Sequence, residues 1–206
     1  MKHPLARAGA ALAVVVLLIL GVLAARGTFS TARQQSQQDD AGSEGSQQLV
    51  ANGSFETPKA SKEYDTFAPG TKLGAWRVGG GPVDLVGSYW KAAGGNQSLN
   101  LRGGDVRPWI WQEIKTTPGR MYVLKFALSG NPDGAPKDKK IEIWWNDDLL
   151  DTVTFGVEST DRQNMGWKYI TYNVTAQTDT GRLRFSSGVD QPWGPVIDDV
   201  TLTPAK

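Results

Sequence analysis

From Leu49 onward, apolar and polar residues alternate in short runs, and Gly, Pro, Asn and Asp separate the runs. A period of two places alternate side chains on opposite faces of a strand. This pattern predicts strands over Leu49–Phe55, Trp76–Val78, Val83–Val86, Ser98–Leu101, Trp109–Ile114 and Met121–Leu128. It continues over Lys140–Asn146, Asp151–Phe155, Trp167–Val174, Arg182–Ser186 and Val196–Leu202. The breaks carry turn chemistry: Pro118-Gly119, Asn131-Pro132-Asp133-Gly134, Asn146-Asp147-Asp148 and Asp179-Thr180-Gly181. No window sustains a 3.6-residue period. Many short strands without helices predict an all-β domain over 49–206, a β-sandwich of jelly-roll type.

The first 48 residues have a different texture. Lys2 and Arg7 precede an uncharged apolar run over 8–25, which Arg26 ends. The run reads as a secretory signal peptide, with Val22, Ala24 and Ala25 offering a small-residue cleavage site, or as an uncleaved membrane anchor helix. Positive charge ahead of the run predicts that the remainder is exported. Residues 26–48 are rich in Gln, Ser and Gly and nearly free of large apolar groups. Such a segment cannot bury enough surface to offset its ordering entropy, so it reads as a disordered linker.

Composition narrows the chemistry. The chain has no Cys, and its one His, His3, lies inside the targeting segment. A domain without imidazole or thiol has no Ser-His-Asp or Cys-His nucleophile and no His-ligated zinc. Beyond residue 25, 20 basic residues face 21 acidic ones, which does not suggest a nucleic-acid partner. The membrane enters only through the N-terminal segment.

Three predicted strands carry chemistry on their polar faces. In Trp109–Ile114, Ile110, Gln112 and Ile114 suit a core, and Trp109, Trp111 and Glu113 point the other way. In Lys140–Asn146, Ile141, Ile143 and Trp145 face inward, and Glu142, Trp144 and Asn146 outward. In Arg182–Ser186, Leu183 and Phe185 face inward, and Arg182, Arg184 and Ser186 outward. With the arginine strand between the tryptophan strands, one surface would gather stacking planes and hydrogen-bonding groups suited to a glycan. A Trp–Arg–Trp stack that only stabilises the face is the other reading of the same residues. The run Lys137, Lys139 and Lys140 and the turn at Asn131–Gly134 read as a solvated loop. Gly79-Gly80-Gly81 reads as a flexible turn.

Taken in order, several motifs are familiar: Asn52-Gly53-Ser54-Phe55-Glu56, Gly74-Ala75-Trp76, Gly87-Ser88-Tyr89-Trp90, Gly95-Asn96-Gln97-Ser98-Leu99-Asn100-Leu101, Pro118-Gly119-Arg120-Met121-Tyr122, Met165-Gly166-Trp167 and Gly194-Pro195-Val196-Ile197-Asp198-Asp199-Val200. The chain resembles the DUF642 family, especially its bacterial "choice-of-anchor C" branch, from about Leu49 to Leu202. The resemblance implies a galactose-binding-like jelly roll outside the cytoplasm, often anchored to the cell surface. More distantly the chain is similar to carbohydrate-binding modules of families 4, 9 and 22. Such modules often carry a stacking Trp on the strand that here holds Trp109 and Trp111, where DUF642 members usually have small residues.

The resemblance also implies a structural Ca²⁺, held by Glu56 and Asp198 with carbonyls near Gly53 and Gln97. An acid often present just before the Gly-Asn-x-x-Leu strand is replaced here by Gly94-Gly95. Asp199, on strict alternation, points to the opposite face. Without metal, Asp198 would cap buried backbone N–H groups. Tyr89, Trp90 and Trp193 fit loop packing, or a sugar site at the loop edge. The leading expectation is a non-catalytic domain that binds a cell-wall or environmental polysaccharide through Trp109, Trp111, Trp144, Glu113, Arg184 and Asn146. Two others stand beside it: an adhesive envelope protein whose aromatic face binds another protein, and a glycoside hydrolase using Glu113 and Glu142.

Overall fold

The computed structural model describes residues 47–188 and 192–206. The expected signal or anchor helix, and the linker up to residue 46, lie outside the described residues. Twelve strands are present, with no helix among the described residues: β1 (Tyr64–Phe67), β2 (Lys72–Leu73), β3 (Trp76–Gly79), β4 (Val83–Val86), β5 (Ser98–Asn100), β6 (Trp109–Lys115), β7 (Met121–Gly130), β8 (Asp138–Trp145), β9 (Asp148–Gly156), β10 (Lys168–Thr175), β11 (Thr180–Ser187) and β12 (Pro195–Pro204). They form two antiparallel six-stranded sheets. The first has the order β1-β4-β5-β12-β7-β10, the second β2-β3-β6-β11-β8-β9.

The inward faces meet as the alternation predicts. Ile110 and Ile114 of β6, Ile141, Ile143 and Trp145 of β8, and Leu183 and Phe185 of β11 are all buried. They pack against Leu124, Phe126 and Leu128 of β7 and Leu202 of β12 in one core. Phe126 and Phe185 make an edge-to-face contact at 4.9 Å across the two sheets. A smaller cluster of Val86, Trp90, Met165 and Val196 covers part of the outer surface of the first sheet.

Leu49–Phe55 departs from expectation: it is a turn rather than a strand. Asn52 and Phe55 have φ of 53° and 56°, in the left-handed region, and such residues cannot continue a ladder. The approach to β12 explains Gly53, where a Cβ would stand 1.9 Å from the Val200 carbonyl oxygen. The turn is held by side chains instead. The buried Gln112 carboxamide accepts from Ala51 N–H at 3.0 Å and donates to Ala51 C=O at 3.1 Å, imitating a strand partner. Gln48, at the end of the expected linker, is part of the folded body. It donates to Val200 C=O at 3.0 Å and accepts from Leu202 N–H at 2.8 Å.

Candidate functional site

The outer face of the second sheet carries the aromatic residues singled out above. β11 lies between β6 and β8, so register sets who meets whom. Arg184 is opposite Trp111 on one side and Trp144 on the other, and Arg77 of β3 is the next partner of Trp111. One row across the sheet therefore reads Arg77, Trp111, Arg184, Trp144. The Arg184 guanidinium lies 4.3 Å from the Trp144 ring centre. Arg77 and Arg182 lie 5.5 and 5.8 Å from the Trp111 ring centre. Both indoles are half-buried. Each arginine meets the negative face of a π system, which holds the planes upright at surface positions. Among the described residues, Arg184 Nε is buried without a hydrogen-bond partner.

Trp109 heads the next row, opposite Gly79 and Ser186. Its six-membered ring lies on Gly79, where a Cβ would stand 2.0 Å from Cη2, and its five-membered ring reaches Gly80. The glycines expected to serve as a flexible turn are thus the bed of an indole whose other side is partly exposed. The polar residues are more committed than expected. Glu142 accepts from Trp144 Nε1 at 3.3 Å and lies 4.0 Å from Arg107. Asn146 is in the β8–β9 turn with φ of 56°, and its side-chain oxygen accepts from Arg182 N–H at 2.9 Å. Arg182 pairs with Asp147 at 2.8 Å. Glu113 is exposed.

The same register bears on the hydrolase reading. Glu113 is opposite Arg182 and Glu142 opposite Ser186, with β11 between them. Four residues along a strand and two strand spacings across put their backbones about 16 Å apart. A glycosidase pair stands about 5–10 Å apart. Carboxylates on backbones so far apart would meet across one bond only if both side chains extended toward each other, and Glu142 is held instead by Trp144 and Arg107.

At the junction of the turn at 52–56 with β12, the residues expected to hold calcium surround the 93–97 loop. Asp198 is fully buried. Its Oδ2 accepts from Ala93 and Gly94 N–H at 2.9 and 3.1 Å, and its Oδ1 from Asp199 N–H at 2.7 Å. Glu56 Oε1 accepts from Asn96 and Gln97 N–H at 2.7 and 2.9 Å. Gly53 C=O accepts from Val200 N–H at 2.9 Å. The Gln97 carboxamide donates to Phe55 and Pro58 carbonyls and accepts from Ala60 N–H.

Ca²⁺ takes six to eight oxygen ligands. Here both Asp198 oxygens and Glu56 Oε1 accept from backbone N–H groups, and among the described residues no three acidic, His or Cys side chains gather to hold a metal ion. The donor set does not fit a calcium cage. Burial is the main force on Asp198, raising its pKa to about 7 against the lowering effect of its backbone N–H partners.

Asp199 departs from strict alternation. The β12–β7 pairing shifts register between Asp198 and Thr201, and Asp199 has φ of 48°. This irregularity turns its carboxylate toward Tyr169 O–H, which donates at 2.7 Å, and toward Gly94. A Cβ on Gly94 would stand 2.4 Å from Asp199 Oδ1, and one on Gly95 2.3 Å from Glu56 Oε1. The two glycines stand where those carboxylates close on the loop.

A cleft of about 220 Å³ opens on the outer surface of the first sheet, beside the smaller cluster. Asp84 and Asn100, register partners on β4 and β5, lie in it with Tyr64, Tyr89, Arg102 and Trp193. Tyr89 donates to Asp133 at 2.9 Å, Asp133 accepts from Arg162 at 3.0 Å, and Arg162 lies over the Tyr89 ring. Lys139 departs from the solvated loop expected of it. Fully buried, it donates to Gly134 C=O at 2.7 Å and so holds the turn carrying Asp133. Burial lowers its pKa to about 8. Tyr89, Trp90 and Trp193 were legible as a possible loop-edge group; Asp84 and Asn100 were not singled out. Their signal was a polar residue between apolar neighbours, Asp84 between Val83 and Leu85 and Asn100 between Leu99 and Leu101.

Comparison with known proteins places the fold and the family. Among solved structures the chain is similar to TmCBM61 in complex with β-1,4-galactotriose, at 22% identity and a TM-score of 0.55, covering 78% of this chain and all of that one. A native family 35 carbohydrate-binding module from Clostridium thermocellum matches at 14% identity and a TM-score of 0.45, over 68% of this chain and 99% of that one. Among curated proteins, Halomucin of Haloquadratum walsbyi (strain DSM 16790 / HBSQ001) is 30% identical over 166 residues. The match covers 75% of this chain, which spans 2% of that relative's length. The model of the family described as "Protein of unknown function (DUF642)" matches residues 48–203, and the chain belongs to that family.

Proposed function

We propose that this is a non-catalytic carbohydrate-binding domain that works outside the cytoplasm, and that a polysaccharide lies across the outer face of its second sheet. The observation that carries the reading is the row Arg77, Trp111, Arg184, Trp144, with Trp109 one row on. Trp111 and Trp144 stand two strand spacings apart, about 10 Å, so they meet different sugar rings of one chain. Their arginine neighbours hold the indoles in place before a ligand arrives, which lowers the ordering cost of binding. Glu113, exposed at the edge of the row, and the arginine guanidinium groups supply hydrogen bonds to hydroxyls. The shared fold with a module solved with a bound galactotriose supports the ligand class. The charged start and apolar run over 8–25 support export.

A pull-down of the full-length chain on cellulose, xylan, β-glucan, pectin, chitin and peptidoglycan tests the reading. Retention on one polymer, released by its free oligosaccharide and abolished in Trp109→Ala/Trp111→Ala, is the expected result. Retention on none, or retention that the double variant leaves intact, would remove the sheet face from the function.

A further inference from the structure

The tryptophan row is also a row of cations. It continues past Arg77 to Lys72 of β2 and past Trp144 to Leu149 of β9. Across the whole sheet it reads Lys72, Arg77, Trp111, Arg184, Trp144, Leu149. Three of these positions are basic and none is acidic. Glu113 and Glu142 stand in the flanking rows, Glu113 opposite Arg182 and Glu142 taken up by Arg107 and Trp144 Nε1. Lys72 and Arg77 are exposed. Neither they nor Arg184 form an ion pair among the described residues.

Every polar side chain in the row is a hydrogen-bond donor. Lysine, arginine and the indole N–H have no acceptor to offer, so the ligand must bring acceptors. A hydroxyl brings one oxygen, and with it a proton that the row cannot take. A carboxylate, sulfate or phosphate brings acceptors alone, and its charge matches three cations. Arg184 is poised for such a group. Its guanidinium lies over Trp144, and stacking occupies the plane while leaving the N–H edge for hydrogen bonds. On that edge Nε is buried without an acceptor among the described residues, a state that natural structures seldom keep without a reason. An oxyanion along a guanidinium edge takes two parallel bonds, a stronger contact than one neutral hydroxyl makes. The spacing repeats as well. Arg77 and Arg184 stand two strand spacings apart, about 10 Å, the same step as from Trp111 to Trp144. Each indole that meets a sugar ring thus has a cation one strand away. Nucleic-acid bases also stack beside cations, but a strand with a phosphate at every unit would run against Glu113 and Glu142, and beyond residue 25 the 21 acidic residues outnumber the 20 basic ones.

We infer that the polysaccharide on this face is anionic, and that Lys72, Arg77 and Arg184 bind acidic groups carried by the sugar rings that stack on Trp111 and Trp144. This charge requirement rests on the sheet-face reading of the row and adds to it which polymers the row accepts.

Titration calorimetry of the full-length chain against soluble polymers paired by backbone tests this. The pairs are polygalacturonate and its full methyl ester, dextran sulfate and dextran, and phosphomannan and mannan, so that carboxylate, sulfate and phosphate are told apart. Single-stranded DNA is the contrasting polyanion. In at least one pair the charged polymer should bind about tenfold or more tightly than its neutral partner, and added salt should weaken that binding. Lys72→Gln and Arg77→Gln change exposed side chains, and circular dichroism establishes that they fold. Each should weaken binding of the charged polymer by about threefold or more. Lys72 touches no indole, so its effect cannot come from a displaced ring. A neutral polymer bound as tightly as its charged partner in every pair would overturn the inference and leave the sheet-face reading standing. Charged-polymer binding that survives both Lys72→Gln and Arg77→Gln, or Trp109→Ala/Trp111→Ala, would also overturn it, as would tighter binding of the DNA. Binding of no polymer, neutral or charged, would remove the sheet-face reading and the charge requirement with it.

Discussion

Asp198 makes stability depend on pH in a direction opposite to that of a salt-bridged carboxylate. Its side chain is fully buried, and burial raises its pKa from 3.8 to about 7. Below 3.8 it is protonated in both folded and unfolded states. Between 3.8 and about 7 the unfolded chain releases the proton while the folded domain retains it, so each increment of pH favours unfolding. The stability contributed by the protonated form is fully present at low pH and lost as pH rises through about 7. Three pH units at 1.36 kcal/mol each give about 4 kcal/mol for the whole span.

Asp198→Asn removes the titration and keeps a similar shape, at the cost of turning an amide N–H₂ toward a backbone donor. Urea unfolding of wild type and variant at pH 4.5, 5.5, 6.5 and 7.5 isolates the effect, because the other carboxylates titrate in both proteins. The expected result is that the wild-type advantage shrinks steadily across that range, by up to about 3 kcal/mol. Parallel pH profiles for the two proteins would refute the reasoning, and so would an advantage that grows with pH.

Trp144→Ala removes one plane of the row and exposes Arg184. Polymer affinity should fall about tenfold or more, equal to about 1.4 kcal/mol, and unchanged retention on an affinity gel would contradict the proposed row. Gln112→Ala takes both partners from Ala51, which should cost about 1–3 kcal/mol in denaturant unfolding; a loss below 0.5 kcal/mol, on the order of a surface change, would mean that the turn at 49–55 is held by something else. Calcium at millimolar concentration, compared with chelator, should leave Tm unchanged, because both Asp198 oxygens and Glu56 Oε1 accept from backbone N–H groups. A rise of several degrees with calcium would place an ion at that loop.

The sequence by itself determined the sandwich and the inward faces of its strands. Alternation is a local property, so the pattern at Ile110, Gln112 and Ile114, or at Ile141, Ile143 and Trp145, needs no partner to be legible. The aromatic outer face was legible for the same reason. Two segments departed from that reading, for different reasons. Tyr64–Phe67 is a half-exposed edge strand with no apolar face to announce it. Leu49–Phe55 alternates but takes positive φ at Asn52 and Phe55, because Gln112 and β12 hold it as a turn.

Register and close approach belong to the tertiary structure. Only the pairing of β11 with both β6 and β8 puts Arg184 between Trp111 and Trp144, and the same pairing separates Glu113 from Glu142. The irregularity in β12 turns Asp199 toward Gly94 against its expected side. Pairing of β4 with β5 sets Asp84 against Asn100 and forms the floor of the cleft. These residues are distant along the chain, and the free energy that joins them comes from burying the two sheets against each other, which a strand's own sequence does not encode.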